Sequence, residues 1–166
     1  MRLYHGSNLT VKNPNPAFSK RSRMDFGRGF YTITSEEQAV DFTHLIYERR
    51  QSQGLKTVNV YELDIDIFKK LKIMNHQGAT EEGVDYVESN RRKRNGLKED
   101  YDLVIGPVAD DNIQQTFILY EQGVLSKSEA LKRLRAEKLK DQFVFKTERS
   151  VEFLTFVDAW EVERHE

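Results

Sequence analysis

The sequence predicts an α+β fold in a single domain that spans residues 1–166. The length of 166 residues fits one compact domain. Leu, Ile, Val and Phe account for 45 of the 166 residues, which is enough apolar side chain to form a core. Strand-like and helix-like segments are mixed along the chain without the regular alternation of a doubly wound parallel sheet. We therefore expect α+β rather than α/β.

Strands are predicted where apolar and polar residues alternate or where aromatic and β-branched residues are concentrated. Six segments have this character: residues 1–5, 29–34, 57–67, 102–108, 142–146 and 152–162. In the third, the alternation places Glu62, Asp64 and Asp66 on one face of the strand. Residues 13–29 form a long basic loop with several Pro and Gly residues, and loops of this length are often functional.

Helices are predicted where apolar residues recur at helical spacing between a capping residue and a glycine. Four segments fit, at about residues 35–53, 80–94, 111–122 and 127–139. The first begins at a capping-box pattern of Thr34 and Glu37, and the last at one of Ser126 and Glu129. Gly83 weakens the second helix.

Charge and composition exclude several classes of protein. The 26 basic and 27 acidic side chains nearly cancel, so a general nucleic-acid or membrane-surface binder is not expected. The chain has no cysteine, which excludes disulfides, thiolate zinc sites and a cysteine nucleophile. The first residues turn polar at once, and a Gly-Pro pair breaks the longest apolar run, residues 103–109. We expect no signal peptide, no membrane span and a cytoplasmic location.

Metal and phosphate sites have only weak support in the residue pattern. The histidines show no paired ligand spacing, and His44 with Glu48 makes only half of a site. The carboxylates of Glu62, Asp64 and Asp66 suit Mg²⁺ in a metal-dependent nuclease, but a solvated strand face explains them better. Asp110-Asp111 is explained by helix capping. The basic run 91–94, with Lys98 nearby, suits phosphates, although a solvated helix face is the simpler interpretation.

Two segments near the N-terminus carry side chains that suit a ribose and a planar amide. LYHGS contains His5, whose ring nitrogens donate and accept hydrogen bonds, and Gly6, whose backbone groups are approachable. DFGRGFYTIT contains Tyr31, which offers a flat aromatic face. A structural role for the histidine and the tyrosine is the alternative.

The order of four motifs resembles a family of small bacterial proteins of undefined function within the ADP-ribosyltransferase superfamily. The motifs are LYHGS, DFGRGFYTIT followed by a helix with EEQA, YDLVIGPVADD, and DQFVFKTERSVEFL. They span residues 3 to about 157. The resemblance implies a split β-sandwich with flanking helices, in which two small sheets face a cleft that holds NAD.

The resemblance also implies a role for each site residue in the His-Tyr-Glu type of this superfamily. His5 would bind ribose hydroxyls, the backbone of Gly6 would bind the nicotinamide amide, and Tyr31 would stack on the nicotinamide ring. The third position of the family pattern, a glutamate, falls at Gln142, which orients a hydroxyl but has no charge to stabilise an oxocarbenium-like centre. Asp141 and Glu148 flank it and are possible substitutes, although Asp141 faces the other way if the strand has already begun there. Arg23, Arg28 or the run 91–94 would meet the pyrophosphate or the acceptor.

The leading expectation is therefore an enzyme, an NAD-dependent mono-ADP-ribosyltransferase with a macromolecular acceptor. NAD is its substrate, no metal takes part, and His5, Tyr31 and Gln142 are the catalytic residues. Family analogy adds that the protein is the toxin of a toxin–antitoxin pair, with an antitoxin protein as partner. The alternative is a nucleotide- or protein-binding module on the same scaffold that does not react, and the metal-dependent nuclease ranks third.

Overall fold

A computed structural model describes residues 1–18, 25–76, 79–92, 101–108, 111–136 and 141–163. The strands in these ranges are β1 (Arg2–Ser7), β2 (Phe30–Ile33), β3 (Thr57–Leu63), β4 (Ile73–Asn75), β5 (Leu103–Pro107), β6 (Asp141–Phe145) and β7 (Leu154–Glu161). The helices are α1 (Glu36–Arg49), α2 (Ile67–Lys70), α3 (Glu81–Arg92), α4 (Asp111–Glu121), α5 (Lys127–Ala136) and α6 (Glu148–Val151). A short 3₁₀ turn covers Pro16–Phe18. The α+β prediction is confirmed.

The strands form one mixed sheet in the order β4-β5-β6-β2-β1-β3-β7, and β4 and β5 are its parallel pair. Six residue pairs join β1 to β3, and four join β2 to β6. At the centre, β1 and β2 are joined by one pair, Tyr4 with Ile33. The sheet therefore has two well-paired halves that meet at a narrow line between β1 and β2, which we call the seam.

Helices cover one face of the sheet, which we call the helix face. Helix α1 lies over the seam and the half containing β1 and β3, where Ala39 packs with Ile33 of β2 and Val58 of β3. On the half containing β5 and β6, helices α3, α4 and α5 pack on Val104 and Val144. The opposite face carries a second core, whose buried members include Leu3, Phe30, Tyr61, Leu103, Phe143 and Phe145.

Several element boundaries differ from the predicted ones. Helix α1 is capped by Ser35, whose hydroxyl accepts a hydrogen bond from the Gln38 amide at 3.3 Å, and not by Thr34. It ends at Arg49, before Gly54, because Gln51 and Ser52 adopt positive φ angles that a helix does not allow. The prediction of a capping box at Ser126 and Glu129 is confirmed, with both reciprocal hydrogen bonds present.

The strand predicted over residues 57–67 was too long. Strand β3 ends at Leu63, and the Asp64 carboxylate then accepts a hydrogen bond from the Asp66 amide at 2.9 Å, which turns the chain into α2. The short elements α2, β4 and α6 were not predicted. Predicted helix ends at residues 93–94 and 137–139, and the Asp110 cap, lie outside the described residues. Among the helices in the described ranges, none has both the length and the apolar character needed to cross a membrane.

Candidate functional site

The sequence-predicted residues lie around the seam. His5 and Gly6 follow Tyr4 on β1, and Tyr31 precedes Ile33 by two residues on β2. Gln142 is the direct partner of Ile33 on β6. All four residues are therefore placed close to the single residue pair that joins the two halves of the sheet.

His5 is held on the face opposite to the helices. Its ring lies 4.5 Å from the ring of Phe30, centroid to centroid, and its Nδ1 lies 2.7 Å from the carbonyl oxygen of Tyr31. A carbonyl oxygen only accepts, so Nδ1 carries the proton and Nε2 of the neutral ring is an acceptor. Burial lowers the pKa of His5, and the hydrogen bond to Tyr31 opposes this effect. The imidazole is thus held neutral, in one tautomer, at the edge of the seam.

Tyr31 and Gln142 lie on the helix face, on neighbouring strands. The Tyr31 hydroxyl donates to the carbonyl oxygen of Gly27 at 2.6 Å, and its ring packs against the core under α3, α4 and α5. Gln142 is 7% exposed, and its Nε2 donates to the carbonyl oxygen of Pro107 at 3.0 Å. This hydrogen bond fixes the amide, so that Oε1 is the atom Gln142 can offer to a hydroxyl donor.

The three side chains meet along the seam but not on one face. Opposed residues of an antiparallel pair share a face, so Tyr4 lies on the side of Ile33 and Gln142, and His5 lies on the other side. The imidazole contacts Tyr31 through the backbone carbonyl oxygen. The structure brings Tyr31 and Gln142 together on one face and places His5 across the seam from them.

Gly6 is required by the approach of α1. A Cβ atom at this position would lie 2.4 Å from the carbonyl oxygen of Ala39 and 3.0 Å from Cβ of Phe42. Real Cβ atoms essentially never show the first distance and seldom the second, so any side chain here would push α1 off the sheet. Gly6 thus lets the helix lie directly on the backbone beside the seam.

Neither acidic neighbour of Gln142 is placed to substitute for a glutamate. Strand β6 already begins at Asp141, so the Asp141 side chain faces away from that of Gln142. Glu148 is exposed on α6, beyond the end of β6. The side chain of Gln142 therefore lies at the seam without the carboxylate of Asp141 or Glu148 next to it.

The basic residues suggested for phosphate binding differ in their surroundings. Arg28 is exposed in the turn before β2 and stays a candidate. Arg91 lies 3.3 Å from the Asp25 carboxylate, 3.8 Å from that of Glu121, and over the ring of Phe117. It is therefore already paired with carboxylates within the protein, and its assignment to phosphate stays a prediction. Arg23, Arg94 and Lys98 lie outside the described residues.

The carboxylates suggested for Mg²⁺ do not form a site on one strand face. Glu62 pairs with the N-terminal ammonium of Met1 at 2.6 Å. Asp64 and Asp66 lie in the turn after β3, where Asp66 is 3.6 Å from the Lys69 ammonium. Within the described ranges, no three His, Asp or Glu side chains are grouped closely enough to hold a metal ion. His44, which with Glu48 made half of a possible metal site in the sequence, has its Nδ1 2.8 Å from Nζ of Lys56.

Sequence reasoning missed Asn59, which supports His5. This fully buried residue on β3 is the direct partner of His5, and its Nδ2 donates to the His5 carbonyl oxygen at 3.3 Å. Nδ2 also donates to the carbonyl oxygen of Leu9, and Oδ1 accepts from the Val11 amide at 2.7 Å. Asn59 thus fastens the segment after β1 next to the imidazole. A lone Asn within the apolar run TVNVYEL was the available signal.

Comparison with known proteins gives a family and no activity. No curated protein matches the chain, and no solved structure does. A family model described as "Protein of unknown function (DUF3990)" matches residues 1–156, which is nearly the whole length. The chain belongs to the DUF3990 family.

Proposed function

We propose that the protein is an NAD-dependent mono-ADP-ribosyltransferase with the split β-sandwich fold of that superfamily. The observation that carries the proposal is the seam: two well-paired half-sheets are joined by one residue pair, Tyr4 with Ile33. The two motifs that resemble this superfamily, LYHGS and DFGRGFYTIT, lie on the two strands that border the seam. Candidate NAD-binding residues, His5 and Tyr31, therefore lie on both of the strands that border the seam.

The geometry of His5 supports ribose binding. Its Nδ1–H is committed to the Tyr31 carbonyl, so a neutral Nε2 accepts a hydrogen bond from a ribose hydroxyl. The backbone of Gly6, the next residue along the seam, would bind the nicotinamide amide, and Arg28 would meet the pyrophosphate. Burial keeps the imidazole uncharged at neutral pH, so it does not repel the positively charged nicotinamide ring.

Tyr31 and Gln142 act on the reacting ribose and its leaving group. The bond between C1′ of the ribose and N1 of nicotinamide breaks, neutral nicotinamide leaves, and a nucleophile of the acceptor bonds to C1′ and loses its proton. Tyr31 supplies a flat surface for the ring, and Gln142 Oε1 orients the 2′-hydroxyl because its Nε2 is held by Pro107. No charge from Gln142 stabilises the oxocarbenium-like centre, so the proposed transfer is slow or needs a strongly nucleophilic acceptor.

One observation favours a second candidate, a module that binds NAD without reacting. Gln142 is neutral, and neither Asp141 nor Glu148 is placed to supply the missing charge. Calorimetry combined with chromatography of the NAD pool separates the candidates. A binding module gives heat of binding with no nicotinamide released over hours, whereas the transferase releases nicotinamide.

The proposed transferase is tested with labelled NAD and a bacterial lysate. We expect the wild-type protein to label a macromolecule, and His5→Ala and Tyr31→Ala each to abolish labelling. His44→Ala is the matched control, since His44 contacts Lys56 outside the seam and its loss should leave labelling intact. Circular dichroism establishes that each variant is folded. Labelling that is unaffected by either substitution at the seam would refute the site.

The biological setting is proposed from family analogy alone. A toxin that modifies a cellular macromolecule arrests growth when expressed, and its antitoxin protein relieves the arrest. We expect the wild-type gene to arrest bacterial growth and the His5→Ala gene not to do so. Growth arrest by both forms would contradict a toxic activity at this site.

A further inference from the structure

A second candidate site lies under the helices, away from the seam. A cavity between the end of β5 and helices α3, α4 and α5 has apolar walls that include Phe26, Val87, Phe117 and Leu134. Three polar side chains, Asp25, His76 and Thr80, also line it. Its volume is about 30 Å³, measured as the space open to the centres of water molecules.

His76 lines this cavity and has a ring nitrogen without a hydrogen-bond partner among the described residues. The residue is 2% exposed, and its Nδ1 lies 3.3 Å from the hydroxyl oxygen of Thr80. Its Nε2 is buried and has no hydrogen-bond partner among the described residues. A buried polar atom without a partner costs about 1 to 3 kcal/mol, so such atoms in native proteins usually bind a small molecule or water.

The approach of α3 to this imidazole is built into the sequence. A Cβ atom on Gly83 would lie 3.0 to 3.1 Å from three atoms of His76, its Cβ and the ring atoms Cγ and Nδ1. Glycine within a helix lowers helix stability by about 1 kcal/mol relative to alanine. The close approach of α3 to His76 is therefore obtained at the expense of helix stability. The Gly83 amide also donates to the Thr80 hydroxyl at 3.1 Å, which holds that hydroxyl against His76 Nδ1. The ring is therefore held in place beside the cavity that it lines.

We propose that this cavity is a binding site for one or two water molecules, the first hydrogen-bonded to His76 Nε2. A single water needs about 10 to 15 Å³ on this measure, so 30 Å³ holds about two and excludes a nicotinamide or adenine ring. Water both donates and accepts, so it satisfies Nε2 in either tautomer. Asp25 and Thr80 are the other polar residues of the wall.

The electrostatics of the cavity favour a neutral occupant. Burial lowers the pKa of His76, which Glu82 opposes, so the ring is neutral at neutral pH. Burial raises the pKa of Asp25, although Arg91 opposes this effect. The apolar walls disfavour any ion, and the Asp25 carboxylate adds repulsion for an anion. This site is independent of the proposed transferase activity.

A high-resolution crystal structure under xenon pressure tests the proposal. We expect a water peak at a hydrogen-bonding distance of about 2.7 to 3.2 Å from His76 Nε2, and no xenon, because a cavity that water already fills does not admit it. His76→Leu removes the polar atom, so its cavity should lose the water and take up xenon. Xenon in the wild-type cavity, or no water peak at Nε2, would overturn the proposal, even if the variant fails to fold.

Nuclear magnetic resonance gives a second readout in solution. With ¹⁵N-labelled histidine, we expect a neutral His76 ring at pH 7 and magnetisation transfer from a long-lived water to its protons. His44, in contact with Lys56 on the other half of the sheet, is the internal control and should show no such water. The absence of a bound-water signal at His76 would contradict the proposed site.

Discussion

Replacing Asp102 by Asn should destabilise the protein in a manner that depends on pH. The carboxylate lies just before β5, and its Oδ1 and Oδ2 accept hydrogen bonds from Arg149 at 2.8 and 2.6 Å. It also accepts from the Thr147 hydroxyl at 2.8 Å and the Lys72 amide at 3.0 Å. Asp102 thus joins the segment before β4 to helix α6. Replacing it by Asn keeps the shape of the side chain and removes the negative charge.

The expected magnitude follows from the pKa. The Arg149 hydrogen bond is the main cause that lowers the pKa of Asp102 from 3.8 to about 2. Each pKa unit corresponds to about 1.4 kcal/mol, so the upper limit is about 2.5 kcal/mol. The side chain of Arg149 is 64% exposed, and screening by water reduces the expected loss to about 1 to 2 kcal/mol.

The sign of the pH dependence is fixed because the pKa is lower in the folded state. The ionised carboxylate stabilises the protein fully above about pH 4, and this contribution is lost as the pH falls towards 2. Urea unfolding followed by the fluorescence of the single Trp, Trp160, measures it. Glu148→Gln is the control, because Glu148 is an exposed carboxylate next to Arg149. A deficit in Asp102→Asn that is equal at pH 7 and pH 2 would refute this reasoning.

Three further substitutions test the site and its surroundings. Gln142→Glu loses the hydrogen-bond donor to the carbonyl oxygen of Pro107, so urea unfolding should show a free energy of unfolding lower by about 1 to 3 kcal/mol. Labelling by NAD should stay equal or rise, because a carboxylate stabilises the reacting centre. A folded but inactive variant would contradict the charge argument. Gly83→Ala should lower the Tm through its clash with His76, and a raised Tm would show that the ring yields. Asn59→Ala should speed hydrogen exchange at the amide of Val11, because that amide loses its acceptor. Unchanged exchange would show that Asn59 does not hold the segment after β1.

Local sequence patterns predicted the long elements well. The strand containing LYHGS, the helix after Ser35 and the capping box at Ser126 each depend on neighbours within a few residues. The four-residue helices and the three-residue strand β4 were missed because segments this short do not show a period. Asp64 ended β3 early through a hydrogen bond to a nearby amide, which alternation alone does not reveal.

The geometry of the candidate site depends on non-local pairing. LYHGS and DFGRGFYTIT were identified from sequence, but the face that each side chain occupies follows from the pairing of Tyr4 with Ile33. A shift of one residue in that register would move the imidazole to the face of Tyr31. The supporting role of Asn59 is likewise visible only once β3 is placed beside His5.

The most direct test of the proposed activity is mass balance during incubation with NAD. Chromatography measures nicotinamide released, and intact-mass spectrometry measures ADP-ribose added to macromolecules of the lysate. With wild-type protein we expect both to rise in equal amounts, and with His5→Ala neither to rise. NAD that stays intact with folded wild-type protein, or nicotinamide release that is the same in both proteins, would contradict a transferase centred on the seam.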